Sequence, residues 1–140
     1  MSNVYVIGTL GTTPELRFGG SGTPWLTARV AVERRTKQDG EWKSETDWYN
    51  LKVFGSSAEN LAASADKGHR LIIFGTLQIE QYKNKENEDK ESLTIVADEV
   101  GIDLRFATTV IERAARADGK QQAPRAKQQT SYGEFTKEPF

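Results

Sequence analysis

The chain has 140 residues, a formal net charge of −1, one histidine and no cysteine, which sets a single domain as the default and excludes a disulfide scaffold, a cysteine nucleophile and a cysteine-ligated zinc site. No apolar run approaches the ~20 residues of a membrane-spanning helix, and Met1-Ser2-Asn3 lacks the charged and apolar regions of a signal peptide. Hydrophobic residues at 36% and charged residues at 28% allow a packed core under a solvated surface, so the expectation is a soluble protein of a reducing cytoplasm.

Val4 to Leu10 is β-rich and stops at Gly11, and Gly19-Gly20-Ser21-Gly22 reads as a flexible turn. Leu26, Ala28, Val30 and Val32 alternate with Trp25, Thr27, Arg29 and Ala31, the pattern of a half-buried strand. Thr36 to Lys43, around Asp39-Gly40, reads as a hairpin tip leading into the strand Thr46–Gly55. Along that strand Tyr49, Leu51 and Val53 point to one face, which suits a core. Trp48, Asn50, Lys52 and Phe54 point to the other.

Ser56 and Glu59 have the spacing of a capping box at a helix start. Leu61, Ala62 and Ala65 supply the apolar side of that helix, and Gly68 suits its C-terminal cap. Leu71 to Leu77 is a strongly apolar strand that runs on through Tyr82. Asn84 to Glu91 is polar enough for an exposed loop, and Leu93, Ile95 and Ala97 alternate in a last strand that closes near Leu104. From Ala114 to Phe140 there are few aliphatic residues and many Ala, Gln, Lys and Arg, a composition that cannot bury enough apolar surface to fold. That segment holds five cations against three carboxylates, so residues 1–113 carry −3.

The predicted architecture is therefore all-β: about five strands over residues 1–113, one short helix between strands 3 and 4, and a disordered C-terminal tail over residues 114–140. This order matches the five-stranded Greek-key barrel of the OB-fold, whose surface strands and loops bind oligonucleotides. It also suits another small β-barrel with an inserted helix.

The chemistry-bearing residues divide into stacking and charge. Exposing both Trp48 and Phe54 is unfavourable unless something covers them. With Lys52 between them they can stack bases while a cation meets phosphate, or they can pack on a second subunit. Tyr82, beside Lys83 and Lys85, offers the same combination, or simply covers apolar surface at a hairpin edge. Arg34, Arg35 and Lys37 would neutralise phosphate, or form a solvated hairpin tip. Trp25 and Trp42 suit either a base clamp or a subunit seam. Catalytic constellations are missing from the pattern. His69 stands alone, Glu33, Asp47, Glu80, Glu86 and Glu88 show no metal-binding spacing, and no phosphate-cradling glycine motif occurs. The expectation is no enzyme, no metal and no cofactor.

Several segments occur in an order that resembles the bacterial-type single-stranded DNA-binding proteins. They are Val6-Ile7-Gly8-Thr9-Leu10-Gly11 with Pro14-Glu15-Leu16-Arg17-Phe18; Gly40-Glu41-Trp42 before Thr46-Asp47-Trp48-Tyr49 and Val53-Phe54-Gly55; Ala58-Glu59-Asn60; Lys67-Gly68; Gly75-Thr76-Leu77; and Asp98-Glu99-Val100-Gly101. The resemblance covers residues 3 to 113. Leu104-Arg105-Phe106-Ala107-Thr108 is similar to the actinobacterial branch, where this segment adds a strand that braces neighbouring subunits; a phage of such a host is an equally good source.

The resemblance implies a non-catalytic OB-fold protomer, usually a homotetramer, that wraps single-stranded DNA with little sequence preference in replication, recombination and repair. It places stacking on Trp48, Phe54 and Tyr82 and a DNA contact on Lys67. It also implies recruitment of replication and repair proteins through the terminal Glu138, Pro139 and Phe140. Three departures stand out. A stacking aromatic of the β-hairpin is missing, with Arg34 and Arg35 near its place. Gln78, Glu80 and Gln81 replace basic residues before Tyr82. The acidic run of the tail is reduced to Glu134 and Glu138. A reading from another class, an OB-fold protein-interaction module of a primosome-type complex, would explain the acidic barrel.

Overall fold

The computed structural model describes residues 1–114. Its elements are β1 (Ser2–Leu10), β2 (Glu15–Phe18), β3 (Pro24–Gln38), β4 (Glu41–Phe54), α1 (Ser56–Ser64), β5 (Arg70–Lys83) and β6 (Asp89–Ile102). The strands pair in the order β1-β5-β6-β4-β3-β2, and a further β1–β3 pairing, with Thr9 opposite Ala31 and Leu10 opposite Val30, closes the sheet on itself. β1 and β2 pair with successive stretches of β3 and serve as one barrel strand interrupted at residues 11–14. The result is the expected five-stranded OB barrel, with α1 between its third and fourth strands. β2 is the strand that sequence patterning missed: four residues are too few to show alternation.

Alternation fills the barrel. Leu10, Leu26, Val30, Leu51, Val53, Leu71, Ile73 and Ile95 are fully buried, each contributing roughly 1.5–3 kcal/mol over an exposed state. In β6 the inward positions switch from Leu93, Ile95 and Ala97 to Val100 and Ile102. A β-bulge causes the switch: Phe74 faces Glu99 but Gly75 faces Ala97, leaving Asp98 as the extra residue.

Both hairpins run further than their composition suggests. β3 and β4 stay paired out to Gln38–Glu41, and Asp39 and Gly40 form a two-residue turn with φ of 51° and 81°, the backbone of a type I′ hairpin. The expected tip over residues 36–43 is thus mostly strand. Likewise the expected loop over residues 84–91 shrinks, because Asp89 already pairs with Lys83. Asn84 Oδ1 accepts the N–H groups of Glu86 and Glu88 across that tight turn. These arms leave the core, so neither face needs apolar residues and the period-2 signal disappears.

The helix caps also differ from expectation. The N-cap is Gly55 (φ 76°, ψ −151°), not a Ser56–Glu59 box, and no side chain caps the helix; the Gly55 carbonyl accepts the N–H groups of Ala58 and Glu59. Ala65 is the C-cap, donating to the Leu61 carbonyl. Gly68, at φ 93°, belongs to the turn beyond, where its N–H donates to the Leu10 carbonyl. α1 buries Ala58 and Leu61 against the core.

Residues Met1–Thr109 form one compact unit, and residues 110–114 have no helix or strand. Leu104–Thr108 forms no strand in the single chain. Asp103 anchors its start: its N–H donates to the Arg70 carbonyl, and its Oδ2 lies 2.8 Å from Arg70 Nε in an ion pair without hydrogen-bond alignment. Glu138, Pro139 and Phe140 lie outside the described residues. Among the described residues no helix is long and apolar enough to cross a membrane.

Candidate nucleic-acid interface

The β3–β4 ladder sets one continuous outer face. Trp25 lies opposite Phe54, Thr27 opposite Lys52, Arg29 opposite Asn50 and Ala31 opposite Trp48. Farther out, Arg35 lies opposite Ser44 and Lys37 opposite Trp42. Phe54 and Trp48 are 51% and 47% exposed on this face while Leu51 and Val53 are buried on the other, as the alternation of β4 predicts.

The parallel β4–β6 register carries the face onward, with Asn50 opposite Thr94 and Lys52 opposite Val96. In turn Thr94 lies opposite Gln78, Ser92 opposite Glu80 and Lys90 opposite Tyr82. Tyr82, also exposed, therefore shares the face of Trp48, Lys52 and Phe54. Lys90 beside it is a cation that sequence reasoning missed, because the residue was placed in a loop.

An open groove of about 470 Å³ runs across the middle of this face. Its walls include Thr12 and Thr13 of the β1–β2 loop, Arg29 of β3, Asn50 and Lys52 of β4, and Thr94 of β6. Asn50 donates to Ser92 Oγ at 2.9 Å, and the Arg29 N–H donates to Thr12 Oγ1 at 3.0 Å, so strand and loop are pinned together at the groove. Two carboxylates, Glu15 and Glu80, also line it. They make this groove less positive than its cations alone would.

Each tryptophan carries a cation. The Arg29 guanidinium sits 5.2 Å from the Trp48 ring centroid. Trp48 lies opposite the small Ala31, with Arg29 as its diagonal neighbour. The indole also lies against Gly11, where a Cβ would come within 2.5 Å of Trp48 Cζ3. At the barrel end, Trp25 stacks on Phe54 with centroids 6.4 Å apart and planes 18° apart, and Arg17 sits 5.6 Å from the Trp25 ring. On the outer arm, Arg35 and Lys37 lie 5.4 and 5.9 Å from the Trp42 ring. Arg29 was not singled out from the sequence. The signal was available, since it shares the alternation of β3 with Trp25, but its relation to Trp48 needs the cross-strand register.

Arg34 and Arg35 separate. Consecutive strand residues point to opposite faces, so only Arg35 joins Trp42. Arg34 turns to the back of the arm, where Nη2 contacts Glu45 Oε2 at 2.7 Å and Nε contacts Asp47 Oδ2 at 3.1 Å. The Arg34 hydrogen bond holds the Asp47 carboxyl below its usual range. Arg29 and Lys52, by contrast, are not ion-paired among the described residues.

Lys67 lies in the turn after α1, exposed and outside the groove lining. The turn is tied to the groove wall through Asp66, whose Oδ1 accepts the Lys67 N–H at 2.7 Å and the Thr13 hydroxyl at 2.8 Å. These two bonds lower the Asp66 carboxyl from its ordinary value. His69 Nδ1 accepts the Asp66 N–H at 2.9 Å, giving the histidine a role within the turn. Among the described residues no cluster of three or more His, Cys, Asp or Glu is placed to hold a metal.

A Greek-key barrel that presents exposed rings interleaved with cations along an open groove is an oligonucleotide-binding OB-fold protein in its architecture. Sequence comparison agrees: the chain belongs to the single-strand binding protein family, whose profile matches residues 1–103. It is 37% identical over 118 residues to the single-stranded DNA-binding protein of Paenarthrobacter aurescens, covering 82% of this chain and 69% of that one. With the protein of that name from Mycobacterium tuberculosis H37Rv it shares 34% over 121 residues, 84% of this chain and 74% of the relative. The crystal structure of the small single-stranded DNA-binding protein from Streptomyces coelicolor superposes with a TM-score of 0.63 at 23% identity. The match covers 74% of this chain and 94% of that one, and it shows the shared fold.

Proposed function

We propose that this chain is a non-catalytic, sequence-tolerant binder of single-stranded DNA that coats the strand during replication, recombination and repair. The observation that carries this is one outer face with exposed Trp48, Phe54 and Tyr82 on either side of a groove lined by Arg29 and Lys52. Every base has a π-face, so stacking on these rings tolerates any sequence, while the cations neutralise the backbone. Titration with oligo-dT at low salt is expected to quench tryptophan fluorescence; unchanged fluorescence together with no mobility shift would sink the proposal. Single-strand affinity falls with salt by about 0.7 logarithmic units per neutralised phosphate. Arg29→Ala and Lys52→Ala are each expected to reduce the slope of log K against log salt by about 0.7, measured by fluorescence anisotropy.

The functional unit in this reading is a homo-oligomer, with a tetramer expected. Outside its short pairing with β3, β1 pairs among the described residues on one side only, with β5. Residues 2–8 therefore offer an open strand edge, a template for another strand. Beside that edge, Tyr5 and Phe74 face each other across the β1–β5 ladder and are both exposed. Tyr5→Ser with Phe74→Ser is expected to lower the assembly mass in native mass spectrometry; an unchanged mass would assign the patch to something other than subunit contact.

A further inference from the structure

We infer that Glu80 is a base-reading residue of the groove: its carboxylate accepts the exocyclic amino group of a base held on the aromatic face, which biases binding toward cytosine over thymine on top of sequence-tolerant stacking. The inference rests on the reading of the barrel face as a single-strand site and adds a specificity to it.

The sheet order sets the charge of the groove. From one edge to the other its lining runs from Glu80 of β5, through Ser92 of β6, Asn50 and Lys52 of β4 and Arg29 of β3, to Glu15 of β2. The cations stand in the middle and a carboxylate stands at each edge. The two carboxylates are not equivalent. Glu15 Oε1 is held by Arg17 Nη2 at 3.0 Å. Glu80 is exposed and has no ion pair among the described residues. Lys90, its diagonal neighbour across the β5–β6 ladder, pairs with Glu88 Oε2 at 3.4 Å instead. A charged acceptor without a cation therefore faces the groove from β5.

Its position relates it to both the rings and the cations. Glu80 stands two residues from Tyr82 on the same face of β5, ~7 Å along the strand. It lies opposite Ser92, whose Oγ accepts Asn50 Nδ2 at 2.9 Å. Asn50 is the outward residue between Trp48 and Lys52, and it lies opposite Arg29. A polar line thus crosses the groove from the Arg29 guanidinium, which sits over the Trp48 ring, through Asn50 and Ser92 to the Glu80 carboxylate. A nucleotide laid across this line meets a cation at its phosphate end and an acceptor at its base end. The reverse orientation would set phosphate against carboxylate, and like charges repel.

The chemistry at the base end separates the pyrimidines. Cytosine carries an N4 amino group, a donor that a glutamate oxygen accepts; thymine carries O4, itself an acceptor, at the same ring position. Acceptor against acceptor makes no hydrogen bond and leaves both desolvated, which is unfavourable. Stacking on Trp48, Phe54 and Tyr82 does not distinguish these bases in this way, because each has a π-face. A carboxylate that were only a solvated charge would weaken every oligonucleotide alike, whereas a base-reading carboxylate changes the ratio between them.

The test measures fluorescence anisotropy with two oligonucleotides of equal length, one of 5-methylcytosine and one of thymine. The two bases share the methyl group and differ in the 4-amino against the 4-oxo group, with the N3 proton that accompanies the latter. Wild type, Glu80→Gln and Glu15→Gln are compared, so that differences between the free strands cancel in the ratio of affinities. Glu80→Gln is expected to lower the preference for 5-methylcytosine by about 5-fold, the effect of ~1 kcal/mol at one base contact. Its amide offers an oxygen to an amino group or an N–H to O4 and so no longer discriminates. Glu15→Gln is expected to raise both affinities alike and keep the ratio.

An equal gain for both oligonucleotides in Glu80→Gln would overturn the base-reading role and leave the barrel site standing. A ratio that falls in Glu15→Gln but not in Glu80→Gln would overturn it by moving the discrimination to the β2 edge. No binding of either oligonucleotide by wild type would overturn both readings.

Discussion

Trp48→Ala is expected to weaken oligo-dT binding by about 5- to 150-fold, corresponding to roughly 1–3 kcal/mol for one lost stacking platform. Three features of its surroundings put the effect toward the upper part of that range. The ring sits at the centre of the ladder, between the arm and the Trp25–Phe54 pair. It is held in place on one side by Gly11. It also bears Arg29, so its removal frees a guanidinium that the indole had oriented at 5.2 Å. Fluorescence anisotropy with labelled oligo-dT measures the change, and urea denaturation checks that the barrel is intact. Trp48 is half exposed and lies opposite Ala31, so stability is expected to change little. A variant with wild-type affinity would show that the strand follows another face.

Gly75→Ala is expected to destabilise the barrel by at least ~1–3 kcal/mol through overpacking. A Cβ at this position would lie 2.2 Å from the Val96 carbonyl oxygen and 2.9 Å from Ala97 Cα. Both are backbone atoms of the paired strand, so no side chain can swing aside. For a domain of this size each kcal/mol lowers Tm by roughly 4–8 °C. Gly20→Ala is the control, because a Cβ there meets nothing within 4 Å. The consequence reaches the outer aromatic face: the bulge beside Gly75 sets which residues of β5 point outward with Lys90, Ser92 and Thr94. Differential scanning calorimetry decides the matter, and an unchanged Tm would mean that β5 and β6 can separate at the bulge without loss.

Much of this was legible in the chain. Alternation in Leu26–Val32 and Tyr49–Val53 located the core-facing positions, because one buried face imposes a period of two. The bulge went unread: apolar parity switches between Ala97 and Val100, but parity alone does not name the opposing glycine. The outer arms were hidden for the complementary reason. Residues 33–38 and 41–47 meet water on both faces, so nothing selects for alternation and turn-rich composition dominates. The helix start misled because Ser56 and Glu59 have the right spacing, yet Gly55 in a left-handed conformation takes the cap position.

The aromatic face followed from residue order alone: Trp48, Lys52 and Phe54 must share a side of β4 whatever barrel contains them, because successive side chains on a strand alternate. Family membership was likewise readable from local motifs. The partners of those residues were not. That Arg29 covers Trp48, that Trp25 stacks on Phe54, that Tyr82 and Lys90 join the face through β6, and that Arg34 is diverted to Asp47 and Glu45 all depend on the register between strands far apart in the chain. Register is set by closure of the whole barrel around its core, and no local stretch of sequence contains it.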